Sequence, residues 1–343
     1  MTSLTSTELE EWPQSRQSAI YGVCGVMMLL GNVSVPMRIW AQWKVHRKTF
    51  MEDYFLVAAL LFANVGTIAT IIAGTKGLGI HTFRIVAQDP SYKDLVSVFA
   101  SVWVTALFNG PSIFATKVAL LTYYRRLFIV NQTWLKVTWW INLVFATLLC
   151  LGTILFYILQ CSPVNWYWER VNAYTNETGT CVQPLGDIGA PLVLSMVSDL
   201  AILLLPIITV ITLQMDIKRK LGLTAVFSVG FVSFGCSLAR VTVLLAGTEM
   251  ADDDTWTLTA FEILSVVELT CAILCASAVP IFSYFRLLLR GRREESTGSH
   301  DGYGFKDISA SRLKKDRGSW LASSSSEHLR EEYASNSKDP AIP

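Results

Sequence analysis

The sequence predicts an all-α membrane protein, a seven-transmembrane helix bundle with its N-terminus outside and its C-terminus in the cytosol. Three observations predict it. The 343 residues are 52% hydrophobic and only 16% charged, against roughly 25% charged in an average soluble domain, which argues against a soluble two-domain enzyme. The apolar residues fall into seven long runs, and seven stretches of about 22 residues would consume about 154 positions, which the chain accommodates if its loops are short. The basic residues, finally, concentrate in alternate loops.

The seven runs are Gln17 to Met37, Tyr54 to Gly74, Val96 to Tyr123, Val137 to Leu159, Gly189 to Leu213, Leu223 to Leu245 and Leu258 to Phe285. At 1.5 Å per residue each is long enough to cross about 30 Å of hydrocarbon as a helix. Strands of a closed barrel would alternate polar and apolar residues, and these runs do not. The first run follows an acidic leader (Glu8, Glu10, Glu11), the reverse of a signal peptide, and polar Asn32 and Arg38 close it, so it is retained as the first span. Residues 1–16 form an extracytoplasmic segment and 17–290 the transmembrane domain. From Gly291 to Pro343 the chain is polar and Ser-rich, with Ser323 to Ser326 in a row, and reads as a disordered cytosolic tail.

Orientation follows from the loops. Arg38, Lys44, Arg47 and Lys48 follow the first span, Arg125, Arg126 and Lys136 the third, Lys218, Arg219 and Lys220 the fifth, and Arg286, Arg290, Arg292 and Arg293 the seventh. The opposite loops hold only Arg16, then Lys76, Arg84 and Lys93, then Arg170. The positive-inside bias places the first set in the cytosol. On the predicted outer side lies Asn176-Glu177-Thr178, a glycosylation acceptor flanked by Cys161 and Cys181, a pair able to join in an oxidising compartment. A second acceptor, Asn131-Gln132-Thr133, falls inside and is expected to be silent; sugar on Asn131 would invert the topology. Trp166, Tyr167 and Trp168 read as interfacial anchors. Cys24, Cys150, Cys236, Cys271 and Cys275 sit within apolar runs as packing residues.

Several classes are excluded or made improbable. A net charge of +1 recruits no nucleic acid, and four scattered histidines do not make a zinc hydrolase site. No Gly-rich phosphate loop, zinc-protease helix or nucleophile elbow is present. Retinal needs a Schiff-base lysine in the seventh span, and Leu258 to Phe285 has none. The third span ends Tyr123-Tyr124-Arg125-Arg126 with no acid before the Arg, and Pro280 lacks a preceding Asn, unlike the commonest G-protein-coupled receptors. G-protein coupling itself is left open. The acidic Glu249, Asp252, Asp253 and Asp254 lack EF-hand spacing and read as a solvated turn.

Ionisable residues within spans are costly unless paired or hydrated, and so mark sites by default. Lys117, Asp199, Arg240 and Glu268 are the four that stand out. Counting from span ends puts Asp199 and Glu268 about 15 Å deep, Arg240 about 9 Å from the outer edge and Lys117 about 12 Å from the cytosolic edge. Two cations and two anions at similar depth suggest mutual neutralisation, for example Lys117 with Asp199 and Arg240 with Glu268. Such pairs either fix helix packing alone or line a polar cavity that binds a ligand or performs acid chemistry. Pro111 in Asn109-Gly110-Pro111, and Pro206, are expected to kink the third and fifth spans and open room between helices. Glu262, nearer the outer end of the seventh span, is expected to be hydrated, with gating as the alternative.

Several segments, in order, resemble one family. They are Glu52-Asp53-Tyr54 opening the second span, Gly77-Leu78-Gly79-Ile80-His81 before the third, Lys117-Val118-Ala119-Leu120-Leu121 with Tyr124-Arg125-Arg126-Leu127-Phe128 within it, and Cys161-Ser162-Pro163, Trp168 and Cys181 in the outer loop. Ser198-Asp199 with Leu205-Pro206, and Lys220-Leu221-Gly222-Leu223 with Gly230 and Arg240, continue the pattern. Over about Gln17 to Arg290 the chain resembles the fungal rhodopsin-domain integral membrane proteins, the Pth11-like and SAT4-type seven-transmembrane proteins. Glu52 stands where an Asp is expected, and with about 16 residues before the first span the cysteine-rich module of some receptor-like relatives is not expected.

The resemblance implies architecture more than activity, and members also occur beside secondary-metabolite genes. The leading expectation is a receptor-like or accessory protein of the plasma membrane or an internal membrane. It would bind a small apolar ligand oriented by Lys117, Asp199, Arg240 and Glu268 beneath a lid held by Cys161 and Cys181. The alternative is a membrane-embedded cyclase or isomerase in which Asp199 or Glu268 protonates a hydrophobic substrate. A secondary transporter trails, because no internal repeat is evident.

Overall fold

A computed structural model of the chain describes residues 14–128, 133–172, 174, 178–182, 184–212, 217–247 and 254–297. The chain divides into two units, Met1–Arg286 and Leu287–Pro343; the charges, cavities and disulfide all belong to the first. Its elements are α1 (Gln17–His46), α2 (Met51–Lys76), α3 (Thr82–Gln88), α4 (Lys93–Phe128), α5 (Thr133–Leu159), β1 (Cys161–Ser162), α6 (Trp166–Glu169), β2 (Thr180–Cys181), α7 (Pro184–Thr212), α8 (Ile217–Gly247) and α9 (Asp254–Thr297).

Among the described residues five helices are long and apolar enough to cross a membrane: α1, α2, α4 over Lys93–Arg126, α5, and α9 over Thr255–Phe282. Among the described residues α7 and α8 add shorter apolar stretches, Pro191–Leu205 and Gly230–Leu245. The helices outrun the apolar runs by a turn or more at several ends, because polar residues at the interface extend a helix once its hydrogen bonds are under way. Asn176 and Asn131, the acidic residues Glu249, Asp252 and Asp253, and the tail beyond Thr297 lie outside the described residues.

Burial sorts the helices. The apolar window of α9 is 65% buried and that of α5 only 11%, so α9 runs through the middle of the packing while α5 turns one side outward. Leu148, Leu151 and Leu155 on α5, with Leu29 and Val33 on α1, are exposed, as side chains facing lipid tails are. The most extensive interface joins α2 to α4. Small residues explain it: Ala59, Ala63, Gly66 and Thr67 let the backbones approach, and the Ser112 hydroxyl donates to the Ala59 carbonyl at 2.7 Å. Val35, Leu56, Ala119, Leu269, Ile273 and Ala276 then close the core between α1, α2, α4 and α9.

The turn after α2 depends on two glycines. Gly77 and Gly79 hold φ of 125° and 96°, a region costly for side chains. A Cβ on Gly77 would lie 2.9 Å from Ile85, and one on Gly79 3.0 Å from the Gln17 backbone nitrogen. Gly77 thus lets Ile85 pack against the turn, and Gly79 lets the chain pass close to the start of α1.

The loop after α5 is closed by a two-stranded ribbon. β1 and β2 pair antiparallel, Cys161 opposite Cys181, and a disulfide joins these two residues. Between them Tyr167 and Trp168 of α6 pack edge-on against Phe99 and Trp103 of α4, with ring centroids 6.5 and 5.6 Å apart. The anchoring expected of this aromatic cluster is therefore directed at α4. Trp103 is itself fixed by its indole N–H, which donates to the Tyr157 carbonyl at 2.9 Å.

Candidate functional site

Four helices bring the four predicted charges together. Lys117 projects from the C-terminal half of α4, Asp199 from α7, Arg240 from α8 and Glu268 from α9. Lys117 Nζ lies 2.9 Å from Asp199 Oδ1 and also donates to the carbonyl and hydroxyl of Ser195, each at 3.2 Å. Its three N–H groups are thereby used. Arg240 Nη1 lies 3.1 Å from Glu268 Oε2 and donates to the Ser265 hydroxyl at 3.0 Å. The Ser237 hydroxyl donates to Glu268 Oε1 at 2.5 Å. Arg240 and Glu268 are almost wholly buried, whereas the Asp199 side chain is 25% exposed. Both pairings sketched from depth alone are thus formed.

Two cavities adjoin these pairs, each of about 60 Å³, enough for about four waters. The first lies between α4, α5, α7 and α8, with Asn109, Gly110, Phe114, Lys117, Leu149, Cys150, Phe156, Tyr157, Ser195 and Arg240 among its walls. Asn109-Gly110-Pro111 sits at this cavity, where the missing Pro111 N–H leaves α4 one hydrogen bond short. The second lies between α4, α7, α8 and α9, with Thr116, Lys117, Tyr124, Asp199, Ser233, Glu268 and Cys275 in its wall. Lys117 stands between the two.

The ion pairs are oriented alike. Lys117 and Arg240 reach the first cavity, whose walls hold no carboxylate, while Asp199 and Glu268 reach the second. The first chamber therefore carries the positive end of both pairs, and the second both carboxylates with Lys117 beside them, in surroundings that screen charge far less than water does.

Glu262 corrects one expectation. Its side chain is buried, 2% exposed, and accepts a hydrogen bond from the Thr70 hydroxyl at 3.2 Å. Hydration at the outer edge is excluded because α9 is the most enclosed span and turns this face toward α2.

A second ionic cluster was not singled out from the sequence. Arg38 of α1 is 1% exposed; its Nε lies 3.0 Å from Asp53 Oδ1 and its Nη1 donates to the Ala276 carbonyl of α9. Glu52 Oε1 sits 3.9 Å from Arg38 and 2.9 Å from Arg126 Nη2. The Arg126 guanidinium in turn lies 3.7 Å from the centre of the Phe50 ring, a cation–π contact. Asp53 also accepts from the Phe50 backbone N–H at 3.1 Å, capping α2. The pattern Glu52-Asp53 beside Arg38 carried the available signal: two acids at a helix start, within reach of a cation closing the previous span.

No group of three or more His, Cys, Asp or Glu able to hold a metal occurs among the described residues.

Comparison with known proteins places the chain. A SAT4 family membrane protein of Emericella nidulans is 32% identical over 227 residues, covering 63% of this chain and 52% of that protein. Wortmanamides biosynthesis cluster protein C of Talaromyces wortmannii is 25% identical over 262 residues, covering 75% of this chain and 67% of that protein. The chain thus spans about half the length of the first relative. The family model described as Fungal rhodopsin domain matches residues 37–287, a span that contains all four buried charges and the disulfide. The chain is a membrane protein and belongs to the fungal rhodopsin domain family.

Proposed function

We propose that this is a seven-transmembrane receptor-like or accessory protein that binds a small, largely apolar ligand between α4, α5, α7, α8 and α9, in a setting of fungal secondary metabolism. The observation that carries the reading is the convergence of Lys117, Asp199, Arg240 and Glu268 on two adjoining cavities within an otherwise apolar core. The remaining support is architectural. The five long apolar helices, with the apolar stretches of α7 and α8, fit seven spans, and the alternate basic loops fit an outside N-terminus and a cytosolic tail from residue 291. In that orientation the Cys161–Cys181 lid covers the outer end, and Asn176 within it is a glycosylation site. A relative named for a biosynthesis cluster supports the metabolic setting.

The geometry supports binding better than acid catalysis, because Asp199 and Glu268 are each already held by a cation. Deleting the gene and profiling metabolites and transcripts together tests the choice. A receptor or accessory role is expected to change transcription or growth responses with no single precursor building up. Accumulation of one precursor would overturn it in favour of a membrane-embedded cyclase or isomerase.

A further inference from the structure

The cavity between α4, α5, α7 and α8 has a chemistry of its own. Among its lining residues are two cations, Lys117 and Arg240, and no carboxylate. Lys117 has spent its N–H groups on Asp199 and Ser195, so it offers charge without further hydrogen bonds. Arg240 is different. It is 2% exposed, and while Nη1 serves Glu268 and Ser265, its Nε–H is buried without an acceptor among the described residues. An unmet donor on a buried guanidinium is expensive, and an anionic acceptor is what it binds best. Asn109 on α4 and Tyr157 on α5 line the same cavity and make no side-chain hydrogen bond among the described residues, so further donors are at hand. The rest of the wall is apolar, with Phe114, Leu149 and Phe156.

We propose that this cavity is a subsite for the carboxylate end of a small amphipathic acid. The carboxylate accepts from Arg240 Nε–H and from Asn109 or Tyr157 in the field of Lys117, and the apolar tail lies along α5. The inference rests on the ligand-binding reading above and adds the class of ligand to it. The neighbouring cavity sets two carboxylates, Asp199 and Glu268, against the one cation Lys117, so the head group is better placed in the first.

The full-length protein in lipid nanodiscs at neutral pH, titrated calorimetrically with octanoate, octan-1-ol and octylamine, tests this with one tail and three head groups. Octanoate is expected to bind at least about tenfold more tightly than the other two, the equivalent of one charge-assisted hydrogen bond. Arg240→Gln/Glu268→Gln, which removes both charges of a pair and leaves no buried ion behind, is expected to erase that preference. Asn109→Leu, which touches neither ion pair, is expected to weaken octanoate and spare octan-1-ol. Equal binding of octanoate and octan-1-ol to the wild type would overturn the acid inference while leaving the ligand-binding reading standing. Binding of none of the three probes would count against both. An octanoate preference that survives in both variants would overturn the assignment to this cavity.

Discussion

Arg38→Ala is expected to lower the unfolding free energy by about 3–5 kcal/mol, the range for removing one partner of a buried ion pair. Arg38 links three helices. Its guanidinium meets Asp53 of α2 at 3.0 Å, approaches Glu52 at 3.9 Å and donates to the Ala276 carbonyl of α9. Glu52 and Asp53 are 2% and 3% exposed. Without Arg38 two buried carboxylates face each other with only Arg126 to offset them, and the Ala276 carbonyl loses its donor. Unfolding in mixed detergent micelles reads the effect. Arg126→Gln serves as the comparison: Arg126 is 33% exposed, so water replaces much of what it supplied, and its loss should be clearly smaller. An Arg38→Ala protein as stable as the wild type would show that the cluster does not hold the helices together.

The second large effect belongs to the pair on α8 and α9. Arg240→Gln alone leaves Glu268 as an uncompensated charge in apolar surroundings and is expected to cost about 3–5 kcal/mol. Arg240→Gln/Glu268→Gln is expected to recover most of that loss, since two neutral amides of similar volume keep the packing and avoid the desolvated charge. Asp199→Asn should cost less than Arg240→Gln, because the Asp199 side chain is 25% exposed and Lys117 keeps its bonds to Ser195. A double variant as damaged as the sum of its single variants would mean that the two residues act independently, against the 3.1 Å contact between them.

Much of this was legible in the sequence, for identifiable reasons. Apolar runs of helical length, the basic loops between them and the similar depth of Lys117, Asp199, Arg240 and Glu268 all follow from counting residues, whereas which cation meets which carboxylate does not. Gly77 and Gly79 were visible as a motif, but their positive φ and the closeness of Ile85 and Gln17 were not. The Arg38 cluster was hidden by its position. Arg38, Glu52, Asp53 and Arg126 lie at span ends, where charges are ordinarily assigned to loops, and only the packing of α1, α2 and α4 shows that the first three are buried together with Arg126 at their edge. Glu262 was misplaced for the opposite reason: proximity to a span end suggested water, whereas the enclosure of α9 decides its surroundings. That both cations face one cavity and both carboxylates the other, with Lys117 between them, depends on side-chain direction around four helices, which no one-dimensional pattern carries.

The proposed function requires an orientation: lid outside, tail in the cytosol, and the ion pairs buried between. Glycan mapping of the expressed protein tests this most directly, by enzymatic deglycosylation of the wild type, Asn176→Gln and Asn131→Gln. The orientation proposed here predicts a mobility shift on deglycosylation that Asn176→Gln abolishes and Asn131→Gln leaves intact. A shift that depends on Asn131 would invert the topology and contradict the account.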